Sequence, residues 1–199
     1  MRFEPAWQRE AAKILPGEYY VTRRDMVLTT VLGSCVAACL RDPKAQVGGM
    51  NHFLLPYPMG NDPFFSPFRY GVHAMEVMIN EMIKLGADKK RLEAKVFGGG
   101  RVLPSLKNSR VGEENAEFIL SYLAKENIPI LGQDLGGPWA RSVYYFPRTG
   151  KALVKRMEIS EAPEEILQEK HLRARARAKP PEGEVELFIE EDKKRHGSP

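Results

Sequence analysis

The stretch GSCVAACLRDPKAQVGGMNHFLL, Gly33 to Leu55, decides how this chain folds. Asp42 and Pro43 occupy the first and second positions that a type I turn favours, with Lys44 and Ala45 completing it. The segments on either side are largely apolar, so they read as two antiparallel strands closed by Arg41 and Gln46. On that register Cys39 faces Gly48, Ala37 faces Met50 and Cys35 faces His52. Directly opposed residues share a face with Cβ atoms about 5 Å apart, which brings a thiol within reach of an imidazole. A bulge, or a loop of another length, would break that pairing.

The residues leave two readings open. Free cysteine is among the most buried residue types, and Val36, Ala37, Ala38 and Leu40 make an apolar neighbourhood for Cys35. Alternatively the pair is a nucleophile and its base. A free thiol with a pKa near ~8.5 is mostly protonated at neutral pH, and an adjacent imidazole can take its proton and ready the sulfur for a carbonyl carbon. The Gly33-Ser34 step could then aim backbone N–H groups at a developing oxyanion. Cys39 belongs to the core on either reading.

Other constellations fail on spacing. Cys35 and Cys39, the only cysteines, lie roughly 13 Å apart if they share a strand, too far for a disulfide. For the same reason they do not form a zinc site with His52 and His73. FGGGRVLPS, Phe97 to Ser105, lacks the spacing and the Lys-Ser/Thr of a phosphate loop, and reads as a tight turn or as backbone lining a cleft.

Working outward, EYYVT and MVLTTVL read as strands before the hairpin, and PYPMGNDPFFSP, Pro56 to Pro67, as a surface loop. GVHAMEVMINEMIKLG has Val72, Met75, Ile79, Met82 and Ile83 at helical spacing with Gly86 as its stop. EENAEFILSYLAKENI repeats that pattern with Phe118, Leu120 and Leu123. RLEAKVF, IPILGQDLGG and RSVYYFPRTGKALVKRM supply the remaining strand candidates. Strand and helix candidates thus share one domain. Residues 1–15 read as an N-terminal arm, 16–159 as the domain, and 160–199 as a charged extension that is helical from Ser160.

With 199 residues, 43% of them apolar and 28% charged, the chain can bury one real core. Nothing approaches the ~18 apolar residues of a membrane span, and the N-terminus lacks a secretory apolar region. The expectation is a cytoplasmic protein without membrane insertion. Residues 1–159 carry 22 basic against 16 acidic side chains, a moderate excess that suits an acidic protein surface and is too diffuse for nucleic acid.

LTTVLGSCVAACLRDPKAQVGGMNHFLLP, followed in order by RYG, AKVFGGGRVL, VGEEN, DLGGPWAR and TGKALVK, closely resembles the CheD family of chemoreceptor glutamine deamidases. The resemblance runs from about residue 16 to 158. Val72, after RYG, departs from it where a polar residue is expected. The resemblance implies an α/β fold, a single-domain layered sandwich of mixed or antiparallel sheet and helices, that carries a Cys-His-Thr triad without cofactor or metal. The nucleophile falls on Cys35, the base on His52 and the threonine, six residues before the cysteine, on Thr29, with Thr30 adjacent. The implied substrate is a glutamine side chain on the cytoplasmic helices of a methyl-accepting chemoreceptor, converted to glutamate through a thioester. Ser34, Arg69 and Arg141 are candidates for contacting substrate or partner, with structural ion pairing the alternative for the arginines. The resemblance also allows an adaptor that docks on receptors or on a CheC-type phosphatase with little turnover.

Overall fold

The structure, a computed structural model, describes residues 2–4, 7–56, 70–102 and 110–158. Arg69, most of the Pro56–Pro67 loop and the 160–199 extension lie outside them. Ten strands form two five-stranded sheets. The first has the order β1 (Arg2–Glu4), β2 (Arg9–Lys13), β4 (Met26–Leu32), β9 (Ala140–Phe146), β10 (Lys151–Met157). The second has the order β3 (Tyr19–Thr22), β6 (Val47–Asn51), β5 (Val36–Asp42), β7 (Glu93–Gly98), β8 (Ile130–Leu135). Pairing is antiparallel except for β2 with β4 and β7 with β8. Helices α1 (Gly71–Lys84) and α2 (Val111–Lys125) cover the outer face of the second sheet. The architecture is α/β, in three layers.

β5 explains the layering. It is buried on both faces, so its alternation sorts residues between two cores rather than between core and solvent. Val36, Ala38 and Leu40 pack against Met75, Met78, Ile79, Met82, Phe118 and Ile119 of the helices. Cys35, Ala37 and Cys39 face the other sheet, among Met26, Leu28, Leu32, Val143 and Tyr145. Each such large apolar side chain contributes roughly 1.5–3 kcal/mol by leaving water. The helical period held in α1, where Met75, Ile79 and Met82 are buried while Ile83 is exposed. Gly86, at φ +92°, ends it as expected, with Gly86 N–H on Ile83 O and Ala87 N–H on Met82 O.

Two expectations need correction. The hairpin closes on Asp42 and Val47 rather than Arg41 and Gln46, so Cys39 lies opposite Met50 and Arg41 opposite Gly48. Asp42 is no exposed turn corner. It is buried and accepts N–H groups of Lys44, Ala45 and Asp88 together with the Arg91 guanidinium, while the loop moves along by one residue to 43–46 with Gln46 at φ +53°. The supposed N-terminal arm contributes β2, a strand inside the first sheet, with Ala11 and Ala12 buried.

Candidate active site

The hairpin slips by two residues, an even number, so Cys35 and His52 still share the face toward the first sheet. Continuing the observed register, confirmed by the Val36↔Phe53 bridge, His52 falls across from Ala37 and Leu54 across from Cys35. The thiol and the imidazole are therefore on diagonally neighbouring residues, roughly 7 Å apart at Cα. The ladder opens beside them. The Ala38 N–H turns to the Asn51 side chain at 3.0 Å instead of a backbone carbonyl. Both key residues are buried, Cys35 at 0% exposure and His52 at 1%.

The backbone of His52 is gripped on both sides by the segment before β3. His52 N–H donates to Glu18 O at 2.9 Å, and Gly17 N–H donates to His52 O at 2.7 Å. Its ring Nδ1 lies 2.9 Å from Thr30 Oγ1. The threonine that meets the imidazole is thus Thr30, not Thr29. Strand alternation is the reason: Met26, Leu28, Thr30 and Leu32 face the second sheet, whereas Thr29 shares the opposite face with Val27 and Val31.

Thr30 also fixes the tautomer. Its hydroxyl donates to Ile14 O at 2.7 Å, and a carbonyl can only accept. The Oγ1 lone pair must then accept from Nδ1–H, which leaves Nε2 as the basic nitrogen. Thr30 is fully buried, so this relay works without competition from water.

The glycine segment lines the site, as one of its readings anticipated. Gly99 N–H donates to Cys35 O and Gly100 N–H to Gly33 O, both at 2.8 Å. Gly98, at φ +113°, lies so close that an added Cβ would sit 2.1 Å from Cys35 O. Ser34 is buried with its carbonyl held by the Asn115 side chain at 3.0 Å. Arg141 does not reach outward. At 1% exposure it binds Asp134 Oδ1 at 2.9 Å and Trp139 O at 3.0 Å, bracing the loop whose Gly136 and Gly137 bond to Gly98 and Arg101. The structural ion pair, one of the two readings of Arg141 in the sequence, is present.

Burial pushes the Cys39 thiol far above its ordinary value, which Lys95 only tempers, so Cys39 is inert packing. Asn115 is the residue the sequence reasoning passed over. A signal was present, because Val111, Asn115, Phe118 and Ile119 lie on one helical face and a carboxamide on an apolar stripe must find partners. Among the described residues, no group of three or more His, Cys, Asp or Glu side chains is arranged to hold a metal ion, and no helix is long and apolar enough to cross a membrane.

Comparison with known proteins gives the family of the chain. Residues 54–156 match the family described as CheD chemotactic sensory transduction. A protein of Dechloromonas aromatica named probable chemoreceptor glutamine deamidase CheD 1 is 51% identical over 94% of this chain and 93% of its own length. Those of Laribacter hongkongensis and Cupriavidus metallidurans, named probable chemoreceptor glutamine deamidase CheD, are 50% and 52% identical. Each match covers 94% of this chain, with 91% and 88% of the respective relatives covered. The chain belongs to the CheD family.

Proposed function

We propose that this protein is a cysteine-dependent deamidase that converts glutamine side chains of chemoreceptor cytoplasmic helices to glutamate. The names of its relatives support the substrate. The observation that carries the chemistry is the Ile14–Thr30–His52 relay, which presents Nε2 as a base on the face that holds Cys35.

The Cys35 S–H proton passes to Nε2, and the sulfur forms a bond to the carboxamide carbon. The C–N bond then breaks, Nε2–H protonates the departing nitrogen, and ammonia leaves behind a thioester. Water gives a proton to the same Nε2 and attacks; the C–S bond breaks and the thiol is restored beside a glutamate carboxylate. Thr30 keeps Nε2 facing the reaction throughout and accepts from Nδ1–H in the imidazolium state. The steps require only water as co-reactant.

The test is mass spectrometry of a purified chemoreceptor cytoplasmic fragment incubated with the wild type or with Cys35→Ala. A gain of one mass unit at specific glutamines, seen only with the wild type, is the expected result. No conversion of a fragment that binds would instead favour the adaptor role. A pull-down with a CheC-type phosphatase tests the second partner implied by the family.

A further inference from the structure

Beside Cys35 the regular strand pairing has ended. β5 pairs with β6 up to Cys39↔Met50 and once more at Val36↔Phe53, and with β7 as far as Gly98. Three successive carbonyls follow toward the first sheet, and each has its own donor. Gly100 N–H holds Gly33 O, Asn115 Nδ2 holds Ser34 O, and Gly99 N–H holds Cys35 O. Two donors are backbone; the central one is a side chain delivered from α2. The same Asn115 amide gives its other proton to Leu54 O at 2.9 Å.

Asn115 is fully buried, and its orientation is settled by chemistry. Both carbonyls can only accept, so Nδ2 must face them, and Oδ1 has no hydrogen-bond partner among the described residues. No residue of similar size repeats this. Aspartate offers two acceptors, serine one donor and alanine none.

We propose that Asn115 is a positioning residue for the thiol chemistry, an inference that rests on Cys35 being the nucleophile. Its carboxamide pins the Ser34–Cys35 peptide plane and ties it to the strand that leaves His52. A trans peptide is planar with C=O and N–H pointing opposite ways, so holding Ser34 O also sets the direction of the Cys35 N–H. That N–H belongs to the residue whose sulfur attacks, and a donor fixed beforehand stabilises an oxyanion without reorganisation at the moment of reaction. The bond to Leu54, across from Cys35 and two residues past His52, sets the separation of thiol and imidazole. One side chain therefore holds both halves of the site.

Asn115→Asp and Asn115→Ser test this, with near-UV circular dichroism to establish folding. Receptor-fragment deamidation gives kcat and KM, and iodoacetamide labelling of Cys35 against pH gives a readout independent of substrate. Asn115→Asp is expected to lower kcat by about 100-fold with KM within about threefold, and Asn115→Ser by about tenfold. The labelling profile should move to higher pH in both, and the uncharged serine variant reads position alone. If Asn115→Asp fails to fold, Asn115→Ser decides. A folded Asn115→Ser with wild-type kcat and labelling profile overturns the proposal, as does failure of both variants to fold, which would make Asn115 a packing residue only. A wild type that converts no glutamine, yet whose Cys35 profile moves in Asn115→Ser, would sink the deamidase reading and leave Asn115 standing.

Discussion

Replacing Thr30 by valine keeps its branched shape and removes a hydroxyl that makes two bonds at once, to Ile14 O and to His52 Nδ1. Without it the imidazole is free to place its proton on Nε2, the wrong nitrogen for a base. Thr30→Val is expected to lower kcat by about 10² or more, because a misassigned tautomer removes general-base catalysis. Thr29→Val, on the far face of the same strand, should leave kcat within about twofold. Steady-state deamidation of a receptor fragment by the two variants checks both. That Cys35 and His52 share a face could be read from the sequence by strand period, but the turn chemistry set them directly opposite, whereas Cys35 lies across from Leu54. The choice between the threonines could not be read there. MVLTTVL is apolar on both faces, and the outer face of β4 is covered too, with Val27 buried in a cluster against Phe146 and Trp7. Nothing in the pattern marks which face looks toward the imidazole.

Among the elements, the glycine loop after β7 carries the most constraint. Gly98→Ala would place a methyl on Cys35 O while holding alanine at φ +113°, so either β7 or the nucleophile must move. The expected cost is about 2–4 kcal/mol, with loss of Cys35 labelling at neutral pH; thermal unfolding and peptide mapping measure the two effects. The loop's role as backbone beside the site was legible from three adjacent glycines with no phosphate-binding spacing. Helix α1 was legible as well, because a single apolar stripe and a terminal glycine leave little choice. The hairpin register was not. Asp-Pro marks a turn, but it cannot reveal that Asp88 and Arg91, far along the chain, draw the aspartate inward and let it join the strand. For Arg141 the sequence left surface contact and structural ion pairing both open, and only the fold brings Asp134 to it.

At the scale of the whole molecule, three layers meet around buried polar ties rather than apolar contact alone. Tyr145 of the first sheet donates to Leu40 O of the second at 3.1 Å, and Tyr145→Phe should cost about 1 kcal/mol in urea unfolding. Asp42 makes stability depend on acid. Burial alone would raise its carboxyl, yet Arg91 and the N–H groups of Asp88, Ala45 and Lys44 outweigh that and hold it well below the ordinary range. Asp134 is shifted the same way, where Arg156 and Arg141 overcome burial. The unfolded chain therefore binds these protons first, so this stabilisation is complete above about pH 5 and lost as pH falls toward the native values. Asp42→Asn should lower Tm at pH 7 and flatten its decline on the acid side, measured by calorimetry from about pH 7 to pH 3.

The Ile14 carbonyl that receives the Thr30 proton lies just ahead of Pro16, where the sequence reading drew the border between N-terminal arm and domain. A chain trimmed to that boundary would keep cysteine, histidine and threonine, and any inspection of motifs would pass it as intact. It would nonetheless lack the acceptor that commits the threonine's proton, and with it the reason for the imidazole to hold one tautomer. On the proposed function, the smallest working catalyst therefore reaches back to Ile14, a residue that carries none of the reactive groups.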